Sequence, residues 1–207
     1  MASRIIDELK SIKQEVDESL IRKSIIDFFD EMDVNDVDKR TLLAISLEQI
    51  FREMFLMALA GEMAREELID RLITEYSMMI VASGYRPNYG HIEHVCEDIV
   101  DNTLEHLDTP YMTSTDRSIT IAETETNNTA NNDEYEEAKE NGMTEKVWHT
   151  MEDNKVRQTH QALDGATIGI DDLFDVGDAQ MRFPCDLELA YDYPDQTCNC
   201  RCTVSYQ

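Results

Sequence analysis

Thr41-Leu-Leu-Ala-Ile-Ser-Leu-Glu-Gln-Ile-Phe-Arg-Glu-Met-Phe-Leu-Met-Ala-Leu-Ala60 sets the class of the fold. Its apolar residues Leu42, Leu43, Ile45, Leu47, Ile50, Phe51, Met54, Phe55 and Leu59 recur at three- and four-residue spacing, the period of a helix face turned to a core. Asp36-Val-Asp-Lys-Arg-Thr41 interrupts the pattern ahead of it and supplies capping residues. Upstream, Ile5, Ile6, Leu9, Ile12 and Val16, then Leu20, Ile21, Ile25, Ile26, Phe28 and Phe29, keep the helical period. Downstream, a helix from about Ala64 to Val81 carries Leu68, Ile69, Leu72, Ile73, Tyr76 and Ile80 and stops at Ser83-Gly84-Tyr85-Arg86-Pro87. One further helix, His91 to His106, is closed by Asp108-Thr109-Pro110. Together these segments predict an antiparallel helical bundle over residues 1–110. Met54, Met57, Met63, Met78 and Met79 read as core filler, with an adaptable docking face as the alternative. His91 and His94, one turn apart near Cys96, read as solvent-facing residues near a helix start rather than as metal ligands.

Past Pro110 the composition changes, and residues 111–207 form a second unit. Thr124 to Asn132 is rich in Thr and Asn and reads as a junction, crossed by one helix from about Ser118 to Lys139 that stops at Asn141-Gly142. Val147-Trp148-His149-Thr150 is strand-like, Asn154 to Leu163 predicts a short helix, Asp164-Gly165 a turn, and Ala166 to Ile170 a second strand. Turn residues dominate the remainder of the chain. So loop-rich a segment has little core of its own and needs the preceding helix, a metal or a partner to fold against. The expected class is α+β: a mainly α-helical amino-terminal half joined to a small loop-rich α+β carboxy-terminal module.

The 207 residues, 42% of them hydrophobic, are enough to bury a sizeable core. The net charge of -26, from 44 acidic and 18 basic residues, repels phosphate backbones and anionic membranes and favours a basic partner surface. DNA binding is therefore not expected, because counterion release needs clustered Lys and Arg. The basic residues of the first forty positions are interleaved with acidic ones and read as a solvated mixed face. No apolar run approaches the length of a membrane span, and the start of the chain does not read as a secretory signal. The expectation is a soluble protein made in a cytoplasm, with its five cysteines initially reduced.

Several phrases then fall in one order. Ile121-Ala-Glu-Thr-Glu-Thr-Asn127 is succeeded by Asn141-Gly142, Val147-Trp148-His149-Thr150, and Asp153-Asn-Lys-Val-Arg157-Gln-Thr-His160-Gln-Ala-Leu163-Asp-Gly165. Ile170-Asp-Asp-Leu-Phe174, Met181-Arg-Phe-Pro184-Cys-Asp186 and Asn199-Cys200-Arg201-Cys202 complete the series. From about Ser118 to Tyr206 this order resembles the shared region of phage minor head (head morphogenesis) proteins of the Mu F type. Glu123 stands where that family commonly has arginine, and Cys185 and Cys198 are thiols beyond its pattern. The resemblance implies a non-enzymatic virion component, associated with the portal vertex or inner capsid, that assists procapsid assembly or DNA packaging and ejection. Its partners would be portal or capsid proteins, met in the host cytoplasm during assembly.

Cys185, Cys198, Cys200 and Cys202 with His160 form the candidate metal site, since zinc wants four soft or borderline donors in tetrahedral array and Cys-x-Cys can chelate one ion. A structural Zn2+ would explain how the tail folds. The alternatives are reduced thiols packed as small apolar groups, or a disulfide formed after lysis. Asp153, Arg157 and His160, at i, i+4 and i+7, could line one helix face. That spacing supports a second reading, a metal-dependent hydrolase or toxin-associated module in which Asp153 and His160 activate water. Against it, no nucleophile or glycine loop accompanies them, and Asp153 reads as a helix cap, Arg157 as a carboxylate partner and His160 as a ligand or core residue. Trp148 reads as a core anchor.

Overall fold

The computed structural model describes residues 18–207. The expected stripe from Ile5 to Val16 lies outside the described residues. The helical half contains α1 (Glu18–Asp30), α2 (Val37–Ala60), α3 (Arg65–Ala82) and α4 (Tyr89–Glu105), and a 3-10 turn at Pro110–Thr113 leads into the long α5 (Thr115–Glu140). Leu43, Leu47, Phe51, Met54 and Phe55 of α2 meet Leu68, Leu72, Tyr76 and Ile80 of α3 and Ile92, Val95, Ile99 and Val100 of α4 in one core. Ile21, Ile25 and Phe29 attach α1 through a smaller cluster with Ala44. Gly61 closes α2 in the left-handed region (φ 64°), where its N–H reaches the carbonyls of Met57 and Ala58.

The α+β class holds. Beyond α5 a three-stranded antiparallel sheet has β1 (Glu145–His149) at its centre, between β2 (Thr167–Gly169) and β5 (Thr203–Tyr206). Lys146 and Trp148 alternate onto the buried face of β1. A hairpin of β3 (Phe174–Val176) and β4 (Ala179–Met181) stands in the stretch where only turns are expected. It completes a second core with Trp148, Cys185, Leu187, Cys200 and Cys202. Its turn residue Gly177 has φ 64°, and a Cβ there would come within 3.2 Å of Thr159. The hairpin therefore sits directly against the short helix that carries His160.

Three local expectations are corrected. The helix expected over Asn154 to Leu163 shrinks to α6 (Gln158–Gln161). Asp153 turns its carboxylate onto Lys155 N–H at 2.9 Å and pairs with Arg201 at 2.6 Å, while Arg157 is extended (ψ 147°), so no helix passes through them. Asp153, Arg157 and His160 therefore share no helix face. His91 is not solvent-facing: it is buried with Nε2 2.7 Å from Glu125 Oε2, which also accepts from Tyr76 Oη at 2.8 Å. His94 is exposed, its ring against Tyr191 at 4.6 Å.

The Thr/Asn-rich run is an interior element. Within α5 every residue from Ala122 to Asn131 is buried, and α5 makes its most extensive packing contact with α2. The amides are satisfied by backbone that lacks secondary structure of its own. Asn127 Nδ2 donates to Cys200 O at 2.9 Å, Asn131 Nδ2 to Pro184 O at 2.7 Å, and Asn128 Oδ1 accepts from Leu187 N at 3.1 Å. From the other side Arg40, fully buried on α2, donates to Asn127 and Asn131 and pairs with Asp36 and Glu134. Polar groups buried at such cost are ordinarily paired, as the three amides and Arg40 are, whereas the Thr124 and Thr126 hydroxyls find no hydrogen-bond partner.

Candidate metal centre

Two short pieces of backbone converge beside β1. Arg157, at the start of α6, sends Nη2 to the carbonyl of Cys198 and so ties the helix to the segment leading into β5. Asn199 occupies the left-handed region (φ 54°), a conformation that asparagine tolerates, and turns the chain inward. In the extended stretch beyond it, Cys200 and Cys202 fall on the same side. Their sulfurs lie 3.6 and 3.4 Å from His160 Nδ1, and all three donor atoms lie within 4.8 Å of one another, all buried. Trp148 closes the inner wall, edge-to-face with the His160 ring at 5.5 Å.

The spacing fits a metal. Zinc held at about 2.3 Å from sulfur and about 2.05 Å from nitrogen in a tetrahedral array sets N···S separations near roughly 3.6 Å. His160 and the two cysteines stand at those edges. The thiols are electrostatically unequal. A hydrogen bond from Cys202, with further help from His160, holds the Cys200 thiol well below the usual range despite burial. Cys202 is pushed up as the partner that keeps the shared proton, with burial adding to the effect. The arrangement holds one proton more than the dithiolate that a metal requires, and metal binding would release it. His160 Nε2 and Trp148 Nε1 are both buried without a hydrogen-bond partner.

Of the five predicted ligands, the fold brings together His160, Cys200 and Cys202 and leaves Cys185 and Cys198 outside. Cys185 (φ 63°) is buried with Sγ against the carbonyls of Thr124 at 3.4 Å and Thr197 at 3.5 Å. Burial raises its thiol pKa, as it does for half-buried Cys198, where Arg157 opposes the rise. All five cysteines are free thiols. Asp153 is engaged by Arg201 rather than directed at the cluster, and Arg157 serves a carbonyl where a carboxylate partner was expected. Trp148 is fully buried, as a core anchor should be. Sequence reasoning missed Asn127, which fixes the Cys200 carbonyl, and Arg40 behind it. The signals for Asn127 are its place at the end of the first phrase of the resemblance and its i, i+4 spacing from Asn131 on a helix with almost no apolar face; Arg40 has none.

A mostly helical α+β chain with a buried His/Cys/Cys cluster between a short helix and its last strand is the class that fold and site define. The chain belongs to the phage Mu protein F like family, whose model matches residues 90–205, more than half of its length. The match begins inside α4 and takes in that helix as well as the segment carrying the motifs. Membership points to a phage head morphogenesis protein. Comparison with curated proteins and with solved structures gives no significant match. Among the described residues no helix is long and apolar enough to cross a membrane.

Proposed function

We propose that the protein is a minor head component of a phage virion, which docks on the portal or inner capsid surface and assists procapsid assembly or DNA packaging. It acts by binding rather than by catalysis. The family match over residues 90–205 carries this reading. The charge of -26 supports it, because a surface so acidic is suited to a basic patch on a partner and discourages premature contact with DNA. Zinc, held by His160, Cys200 and Cys202, is proposed as a structural ion that clamps α6 to the segment entering β5. It would supply the cross-link that so loop-rich a module lacks.

The test is co-sedimentation of the full chain with procapsids bearing the cognate portal, repeated at rising ionic strength. Salt-sensitive retention is expected, together with undiminished phage yield for Asp153→Asn. Failure to enter the particle at any salt would refute the reading. Loss of yield in Asp153→Asn, with folding and incorporation intact, would favour a hydrolase instead.

A further inference from the structure

A zinc ion at His160, Cys200 and Cys202 needs something to complete its coordination, and the geometry indicates what. We propose that the centre keeps one open coordination position, and that a single water-sized exogenous ligand, preferentially an anion, occupies it. This rests on the zinc reading and adds a property that a closed structural site lacks.

The donor count comes first. Among the described residues the cluster contains three donors, and a tetrahedral ion needs four. The two nearest spare thiols are engaged elsewhere. Cys185 Sγ is held between two backbone carbonyls, and Cys198 faces the side chains of Thr197 and Thr124. Closure by either would require leaving those partners.

Space and charge point the same way. The donors border a cavity of about 20 Å³, walled in addition by Met151, Lys155, Val156, Arg157, Asn199 and Arg201. That is room for roughly one water. Arg201 pairs with Glu31 and Asp153 at 2.6 Å each, and Lys155 shares Glu31 at 3.3 Å, so these two cations are matched by two carboxylates. Arg157 has no carboxylate at ion-pair distance among the described residues, although the chain carries 44 acidic side chains, and its guanidinium donates to the Cys198 carbonyl. Two thiolates and a neutral imidazole cancel the charge of a zinc ion. An anionic fourth ligand then finds its counter-charge in Arg157, inside a site where water screens weakly. Asp153, bound to Arg201, is not poised to take a proton from that ligand, so the position is suited to ligand exchange rather than hydrolysis.

Cobalt makes the position visible. The full-length protein is loaded with Co2+, and its thiolate charge-transfer and d–d absorption are recorded during titration with azide, whose coordinating nitrogen is no wider than water, and with bulky benzoate. Azide should shift the d–d bands saturably and benzoate should not. Cys198→Ser and Cys185→Ser should keep the metal and the full charge-transfer intensity of two thiolates. Arg157→Gln should weaken azide binding about tenfold, the order expected for one partly screened charge, and Arg157→Lys should restore most of it. Silence toward azide would show that no position is open to an exogenous anion, and loss of about a third of the charge-transfer intensity in Cys198→Ser or Cys185→Ser would show a fourth protein ligand; either result overturns the proposal while leaving zinc in place. Absence of cobalt binding in folded protein would overturn both.

Discussion

Replacing Arg40 with Met should destabilise the protein by about 4 kcal/mol, the middle of the range for breaking a buried ion pair. The guanidinium is fully buried and donates to Asp36 at 2.6 Å, Asn131 at 2.8 Å, Glu134 at 2.8 Å and Asn127 at 3.2 Å. Methionine fills a similar volume but donates nothing. Asp36 and Glu134 reach solvent and can recover part of their solvation. The Asn127 and Asn131 oxygens are buried and cannot, at roughly 1–3 kcal/mol for each orphaned group. For a chain of this size the loss corresponds to roughly 10 °C in Tm. Urea denaturation monitored by circular dichroism, with an unchanged m-value, is the assay. Burial has already raised the Glu134 pKa despite the attraction of Arg40, so the deficit should be smaller at pH 5 than at pH 8. A loss under about 1 kcal/mol at pH 8 would refute the view that Arg40 joins the two halves through α5.

Buried groups elsewhere in the chain give further expectations. Glu123 is buried, and desolvation lifts its pKa to about 8. An acid whose folded pKa exceeds its unfolded value costs stability as pH rises from about 4.5 to about 8; Glu123→Gln should flatten that slope and stabilise the protein by up to about 4 kcal/mol at pH 8, and an unchanged pH profile of urea midpoints would disprove it. Trp148 is the sole tryptophan and touches the His160 ring, so chelation should alter its fluorescence, and restored zinc should reverse the change; an emission spectrum indifferent to metal would count against the site. Asn127→Ala frees the Cys200 carbonyl and should weaken zinc binding about 10- to 100-fold in competition with a chromophoric chelator, whereas equal affinity would limit Asn127 to a packing role.

The helices are legible in the sequence because α2, α3 and α4 each bury one stripe, and stripe spacing is what a sequence displays directly. Gly and Pro punctuate their ends, as Gly61 does for α2 and Pro87 for the turn after α3. The candidate metal ligands are legible as a set of residue types, but the selection of three from five is not. It depends on Arg157 reaching the Cys198 carbonyl and on the left-handed turn at Asn199, neither of which has a periodic signature. Thr124 to Asn132 reads as a junction because low hydropathy ordinarily marks an exposed surface. Here the same amides face carbonyls of an irregular module, and only the partner backbone gives the run its interior role. His91 escapes local reading for a related reason: its burial depends on Glu125, 34 residues later. The contraction of the Asn154 helix shows a local side-chain bond, Asp153 to Lys155 N–H, prevailing over helix-compatible spacing.

The polar axis of α5 also dictates an order of events on the ribosome. Arg40 meets Asn127, Asn131 and Glu134 across 87, 91 and 94 residues. The helices α2 to α4 can associate as they emerge, but the Arg40 face of α2 remains hydrated until α5 has been delivered. The carbonyls that complete the amides, at Pro184 and Cys200, come later still. Newly made chains therefore pass through an interval in which a bundle with one wet face waits for its carboxy-terminal half. A ribosome stalled before α5 has emerged would display that face to whatever else the cell contains.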